Sequence, residues 1–88
     1  MIFDFSRNPL GLDEQEAIGM RLFLNGTEIK LCWFIDTEAG IVKTHDVLGD
    51  NRAHWSGEKL DWPEGTELDP NKAASLTLTG VVEIREPI

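Results

Sequence analysis

Two histidines and a single cysteine are the clearest candidates for chemistry in this sequence. His45 is followed directly by Asp46, and His54 comes later, in a segment that could fold back as a hairpin with Asp50 nearby. Zinc in proteins takes four nitrogen, sulfur or oxygen ligands, or three and a water. Two histidines without a closely spaced pair of further ligands favour a structural role, so we predict no metal site.

Cys32 lies beside Trp33 in an apolar run, where His45 or His54 could in principle act as its base. A reactive thiol needs a basic neighbourhood or a helix N-terminus that lowers its pKa. Apolar neighbours within a predicted strand instead favour a small buried side chain. With one cysteine there is no internal disulfide, which suits a reducing cytosol. Glycine-rich phosphate loops and nucleophile elbows are absent, so we predict no catalytic residues and no cofactor, and a small enzyme is the least favoured class.

A better candidate for function is a long acidic segment that contains two of the three tryptophans. Aromatic anchors inside a charged rim are typical of protein interfaces. The alternative is that both indoles cover the core of a small domain that needs every large side chain. The predicted interface residues are Trp55, Trp62, Glu58, Asp61, Glu64, Glu67 and Asp69.

The charge balance limits the partners that such a surface could have. Sixteen acidic and eight basic residues give a net charge of -8 and a pI near 4.5. An acidic surface repels phosphate backbones and anionic lipids, so we expect a protein partner and no direct contact with nucleic acid or membrane. As an alternative, the carboxylates could imitate a phosphate backbone, and the chain would then be an acidic inhibitor that occupies a nucleic-acid-binding protein. The sequence shows neither a secretory signal nor an apolar run long enough for a membrane helix, which predicts a cytoplasmic location.

Tight turns between alternating apolar residues predict strands at the centre of the chain. Asn25-Gly26 separates two apolar runs and is typical of a type I′ hairpin. A second turn covers residues 36–40, so we predict a three-stranded meander over residues 18–48. Its third strand, residues 41–48, is polar enough for an exposed edge. In the second strand, simple alternation places Ile29, Leu31, Trp33 and Ile35 on one face and Lys30, Cys32 and Phe34 on the other.

The other segments complete a single domain of 88 residues. Residues 1–17 are predicted to be an N-terminal arm with one short helical turn, and residues 49–75 a long loop. Residues 76–85 are predicted to form a C-terminal strand that pairs with an early strand, with Gly80 at a bulge or close approach. The predicted fold is mainly β: a small antiparallel β-sandwich or open barrel with at most one short helical turn near the N-terminus. A homo-oligomer formed through an edge strand would stabilise so small a core.

Three segments together resemble known proteins. They are LFLNGTEI at residues 22–29, DTEAGIV at residues 36–42 and LTLTGVVEI at residues 76–84. Their order resembles that of small β-rich proteins encoded by tailed bacteriophages and prophages, most of them without an assigned function. The resemblance implies a phage or prophage protein, either a minor structural component of a virion or an accessory protein in the host cytoplasm, that acts through protein–protein contact. It carries over no catalytic residues, and the tryptophan-containing residues 55–70 lie outside it.

Overall fold

Eight short strands provide the regular structure of residues 2–4 and 21–85, the part of the chain that the computed structural model describes. They are β1 (Ile2–Asp4), β2 (Arg21–Leu24), β3 (Thr27–Ile29), β4 (Cys32–Asp36), β5 (Ile41–Thr44), β6 (Thr66–Glu67), β7 (Ser75–Thr79) and β8 (Val82–Arg85). The large sheet has the strand order β1-β4-β5-β7-β6 and the small sheet the order β3-β2-β8. All pairs are antiparallel, so the predicted fold class is confirmed. The predicted helical turn lies outside the described residues.

The hydrophobic core lies between the two sheets. Leu22 and Leu24 of the small sheet join Cys32, Ile35 and Val42 of the large sheet in one buried cluster. Because both sheets contribute apolar side chains to the same cluster, the architecture is a small sandwich. Partly buried apolar residues complete the packing around this cluster: Phe3, Ile29, Leu78, Val82 and Ile84. No helix within residues 2–4 and 21–85 has the length and apolar character needed to cross a membrane.

The strand predicted after the Asn25-Gly26 turn is divided between the two sheets. β3 ends at Ile29 and β4 begins at Cys32, and between them Leu31 has a φ of 59°. A residue in the left-handed region interrupts an extended strand, so β3 stays with β2 while β4 enters the large sheet. The predicted three-stranded meander over residues 18–48 is therefore wrong: the two hairpins, β2–β3 and β4–β5, belong to different sheets.

A bulge in β4 changes which side chains face the core. The register between β4 and β5 shifts between Cys32 and Phe34, which makes Trp33 the extra residue. Cys32 and Ile35 are both buried in the core. The Lys43 ammonium lies 5.3 Å from the ring centre of Trp33 and 5.5 Å from that of Phe34. Trp33 and Phe34 therefore share the outer face, which corrects the simple alternation predicted for this strand.

The predicted C-terminal strand is also divided between the sheets. β7 pairs with β5 in the large sheet, and after Gly80 the chain continues as β8, which pairs with β2 in the small sheet. The β2–β8 pair confirms the predicted return to an early strand. The predicted alternation of exposure also holds, with Leu76, Leu78, Val82 and Ile84 less exposed than the predicted outward set: Thr77, Thr79, Val81 and Glu83.

The third predicted strand is not an edge. β5 lies between β4 and β7, and Val42 at its centre is fully buried. The polar residues that suggested exposure, Thr44 and His45, are instead buried, at 1% and 5% exposure, and hydrogen-bonded to backbone carbonyls. Buried polar groups with satisfied hydrogen bonds are compatible with a central strand, so the prediction of an exposed edge at residues 41–48 is wrong.

Three turns meet at one end of the sandwich, and together they are termed the turn junction (Asn25, Gly40, Gly80 and Val81). Asn25 and Gly26 have φ values of 50° and 84°, as a type I′ turn requires. The Asn25 N–H donates to the carbonyl of Val81, and the Asn25 side-chain oxygen accepts from the Val81 N–H, both at 2.9 Å. The Gly80 N–H donates to the carbonyl of Gly40 at 2.9 Å. The three segments that carry the sequence resemblance therefore contact one another here.

Candidate functional site

His45 is buried, and its contacts indicate a structural role. Its Nδ1 lies 3.0 Å from the carbonyl oxygen of Ala74, and its ring stacks on Trp33 with 6.1 Å between ring centres. Since a carbonyl only accepts, Nδ1 must carry the proton of the neutral ring. Burial lowers the pKa of His45 below its ordinary value. A buried neutral imidazole with a fixed donor and a stacked face helps to position the start of β7.

Cys32 is a buried apolar side chain, as predicted. It has no exposed surface, and its Sγ lies 3.7 Å from the carbonyl oxygen of Ile29. Burial raises the pKa of the thiol to about 12, with a smaller effect from the carboxylate of Asp46. Because the thiolate is the nucleophilic form, a thiol with this pKa is unsuited to attack at neutral pH.

His54 lies between two carboxylates, and the three side chains are termed the His54 clasp (Asp50, His54 and Glu58). Its Nε2 lies 2.8 Å from Oδ2 of Asp50 and its Nδ1 lies 3.2 Å from Oε2 of Glu58. Carboxylates only accept hydrogen bonds, so both ring nitrogens donate when the ring is an imidazolium. The hydrogen bond to Asp50 is the main reason that the pKa of His54 is raised.

The hypothetical metal site is not assembled. Asp46 uses Oδ1 to accept the Asn51 N–H at 3.1 Å, while His45 and His54 contact different partners. Within residues 2–4 and 21–85, no group of three or more histidine, cysteine or carboxylate side chains could hold a metal ion.

The His54 clasp predicts a specific pH dependence of stability. The pKa of His54 is raised in the folded state, so its contribution is fully present below the ordinary value of 6.5 and is lost as pH rises through the folded-state pKa. His45 acts with the opposite sign, because its folded-state pKa is lowered and its contribution is lost as pH falls. We therefore expect the stability difference between wild type and His54→Gln to be larger at about pH 5.5 than at about pH 9.

Urea unfolding followed by tryptophan fluorescence measures this difference. His45→Gln is the matched control, because its difference from wild type should change with pH in the opposite direction. Subtracting the His54→Gln curve from that of the wild type removes the His45 contribution, which both proteins share. The same difference at every pH would contradict a clasp that depends on the imidazolium.

Trp55 projects from backbone that is fixed to a second segment. Trp55 pairs with Ala73 in an isolated antiparallel bridge, and the carbonyl of His54 accepts the Ala74 N–H at 2.8 Å. The Glu58 N–H donates to the carbonyl of Trp55 at 3.0 Å. Nevertheless 52% of Trp55 is exposed. An exposed indole on a fixed backbone is a preorganised contact group.

Ser56 joins the same two segments, which are termed the Trp55 platform (residues 54–58 and 69–74). Its N–H and its hydroxyl both donate to the carbonyl of Lys72, at 3.3 Å and 2.9 Å. The hydroxyl oxygen also accepts the Asp69 N–H at 3.0 Å. With the Trp55–Ala73 bridge, these bonds give local order to part of the predicted loop at residues 49–75, which also contains β6.

The predicted interface residues have different environments. Glu58 belongs to the His54 clasp, and the carboxylate of Asp69 accepts the Asn71 N–H at 2.9 Å, in a local turn. Trp62 is half-buried, which places it between the two alternatives of core and interface. The remaining carboxylates are exposed: Asp61, Glu64 and Glu67.

Two residues whose side chains organise this region, His54 and Ser56, were not among the predicted site residues. His54 carries a visible signal, since acidic residues lie four positions before and after it. Ser56 carries none, because its partners Asp69 and Lys72 are distant in sequence.

Comparison of the chain with protein-family models, curated proteins and solved structures found no match. Nothing in these comparisons links the chain to phage proteins, so that origin stays a prediction from the three segments.

Proposed function

We propose that this chain is a non-enzymatic protein that acts by binding a protein partner, with the Trp55 platform as the contact surface. The observation that carries the proposal is the 52% exposure of Trp55 on backbone that is bonded to a second segment. Tryptophan is among the residues that most often dominate interface energetics. A loop that is already ordered loses little conformational entropy when a partner binds.

The surroundings of Trp55 support the same proposal. Leu68 is 49% exposed and directly precedes Asp69, whose N–H is bonded to Ser56, so it adds apolar surface beside the platform. Three exposed carboxylates follow Trp55 in the chain, and we expect them to contribute to a polar rim: Asp61, Glu64 and Glu67.

The non-enzymatic character is proposed because the side chains that could take part in catalysis are engaged in contacts within the fold. Cys32 is buried with a raised pKa, His45 donates to a backbone carbonyl, and His54 contacts two carboxylates. These contacts give each of the three side chains a structural role.

The resemblance of the turn segments supports a narrower proposal. The partner contact would be made within a virion, or with a host protein in the cytoplasm by an accessory phage protein. The alternative of an acidic inhibitor is less favoured, because Glu58 and Asp69 make internal contacts and Lys72 is exposed on the same platform.

We expect Trp55→Ala to weaken binding of the partner by about 30-fold or more, as truncation of a central tryptophan commonly does. Val81→Ala is the matched control, since Val81 is an apolar residue of 74% exposure beyond the opposite end of β7. Wild type and both variants are used as bait in a nuclease-treated lysate of the cells that encode the protein. The affinity of the captured protein is then measured by titration at low and high salt.

The outcomes separate the candidate functions. A partner held by wild type and Val81→Ala but lost by Trp55→Ala supports the platform. A partner held equally by all three overturns it, provided that circular dichroism shows each variant to be folded. Binding that disappears at high salt, where exposed charges are screened, would favour the acidic inhibitor instead.

A further inference from the structure

Strand β8 forms one end of the small sheet, and no described strand pairs with its outer edge. The edge of a sheet presents backbone donors and acceptors in a row, and is a common place for a second chain to add. Of the four strands at the ends of the two sheets, β8 is the longest, with four residues against three in β1, three in β3 and two in β6.

The charges of β8 alternate in sign around Ile84. Glu83 and Arg85 precede and follow it, and their side chains are 57% and 54% exposed. In an antiparallel pair of two β8 strands centred on Ile84, Glu83 of each copy lies directly opposite Arg85 of the other. Opposite charges in such cross-strand positions attract, and the two-fold symmetry makes the contact twice.

The other end strands do not have this property. A pair of β3 strands centred on Glu28 would place two carboxylates opposite each other, which is unfavourable. A pair of β1 strands centred on Phe3 would place Asp4 opposite Ile2, which brings no charge attraction. Strand β6 has one charged residue, Glu67, and no opposite charge to pair with it. The self-complementary pattern therefore distinguishes β8 from the other end strands.

Arg85 is already held in position on the face of the small sheet. Its guanidinium lies 4.1 Å from the ring centre of Phe23, and its Nε donates to Glu83 of the same chain at 3.1 Å. A guanidinium has five N–H donors, so others are available for a second carboxylate. Because Arg85 is ordered beforehand, an intermolecular pair costs less side-chain entropy.

We propose that β8 is a homodimer interface, in which the β8 strands of two copies pair antiparallel about Ile84 and join the two small sheets into one continuous sheet. Ile84 and Val82 are partly buried and pack against the core of their own chain. A second copy would cover part of the apolar surface that they leave exposed. The occupant of this edge is a second copy because the pattern Glu-Ile-Arg is complementary to itself.

The net charge of -8 on each copy opposes this association. The two cross-strand pairs are close contacts, whereas most of the net charge lies further apart and is screened beyond about 8 Å at physiological ionic strength. We therefore expect a weak, reversible dimer that forms at physiological salt and depends on protein concentration.

The test uses two charge reversals, Glu83→Arg and Arg85→Glu. Each variant alone places like charges opposite each other in both symmetric positions, so its dimer dissociation constant should rise by about tenfold or more. An equimolar mixture of the two should form a heterodimer, because the charges of the two variants complement each other. The double variant Glu83→Arg/Arg85→Glu should recover the homodimer. Sedimentation equilibrium at several concentrations measures all four.

Matched controls separate the local pairing from the change in net charge. Glu67→Arg and Lys72→Glu make the same changes in charge at exposed residues away from β8, and both should dimerise as the wild type does. The proposal is overturned by a wild type that stays monomeric, by dimers of either reversal as tight as those of the wild type, or by a mixture without heterodimer. It does not depend on the Trp55 platform, so Trp55→Ala should remain dimeric.

Discussion

Replacing Gly40 with alanine is expected to lower the free energy of unfolding by about 2–4 kcal/mol. Gly40 has a φ of 69°, a conformation that costs an ordinary L-residue about 1–2 kcal/mol. An added Cβ would also collide with the backbone carbonyl oxygen of Gly80. That carbonyl belongs to the turn junction, so it cannot move aside without disturbing the neighbouring turns. Urea unfolding followed by tryptophan fluorescence gives the change.

Two other glycines separate the two causes. Gly49 has a φ of 72° but open space around it, so Gly49→Ala should show the conformational cost alone. Gly57 has open space and no such φ, so Gly57→Ala should leave stability within about 0.5 kcal/mol of the wild type. If Gly40→Ala proved no more destabilising than Gly49→Ala, this result would contradict a destabilising contact between the added Cβ and the Gly80 carbonyl.

Replacing Thr44 with valine should destabilise the protein by about 2–3 kcal/mol, although the two side chains have nearly the same shape. Thr44 is 1% exposed. Its hydroxyl donates to the carbonyl of Lys30 at 2.6 Å and accepts the Asp46 N–H at 2.9 Å. Valine would leave both backbone groups without this partner in a site that water reaches poorly, and the cost of such desolvation is large.

Serine at position 44 is the complementary variant. Thr44→Ser keeps the hydroxyl and removes only a methyl group, so we expect a loss of about 1 kcal/mol in the free energy of unfolding. Valine should therefore be worse than serine. The reverse order in the same urea experiment would show that the methyl group matters more than the hydrogen bonds.

The parts of the fold that the sequence predicted are those set by local chemistry. Asn25-Gly26 predicts its own turn because few residues accept two consecutive positive φ values. The alternation in residues 76–84 predicts which side chains are less exposed because the period of an extended strand is two. Both features depend only on neighbouring residues, so tertiary contacts did not change them.

The crossings between the sheets could not be predicted in the same way. Leucine has no preference for the φ of 59° found at Leu31, and the conformation is supported by distant residues, since the carbonyl of Leu31 accepts the His45 N–H at 3.0 Å. Trp33 likewise leaves the simple alternation at the bulge, and its indole N–H donates to the hydroxyl of Ser75 at 2.8 Å. Neither partner is visible from the local sequence.

For the candidate site, composition indicated the right part of the chain for an exposed aromatic residue but not its organisation. Trp55 is exposed, whereas Trp62 is half-buried, and nothing in their immediate sequence distinguishes them. The backbone of Trp55 is held by a bridge to Ala73, a residue distant in sequence. Bridges between distant segments are a property of the folded chain.

The β2–β8 pair also has a consequence for the order of folding. The small sheet needs β8, the last strand described, to complete the pairing of β2, one of the first. Contacts between residues so distant in sequence slow folding, because the intervening chain must be ordered before they stabilise it. During synthesis, the apolar side chains of Leu22 and Leu24 would thus lack the neighbouring strand β8 until nearly the whole described chain has emerged. Nascent chains that still lack β8 are therefore expected to be the species most prone to aggregate.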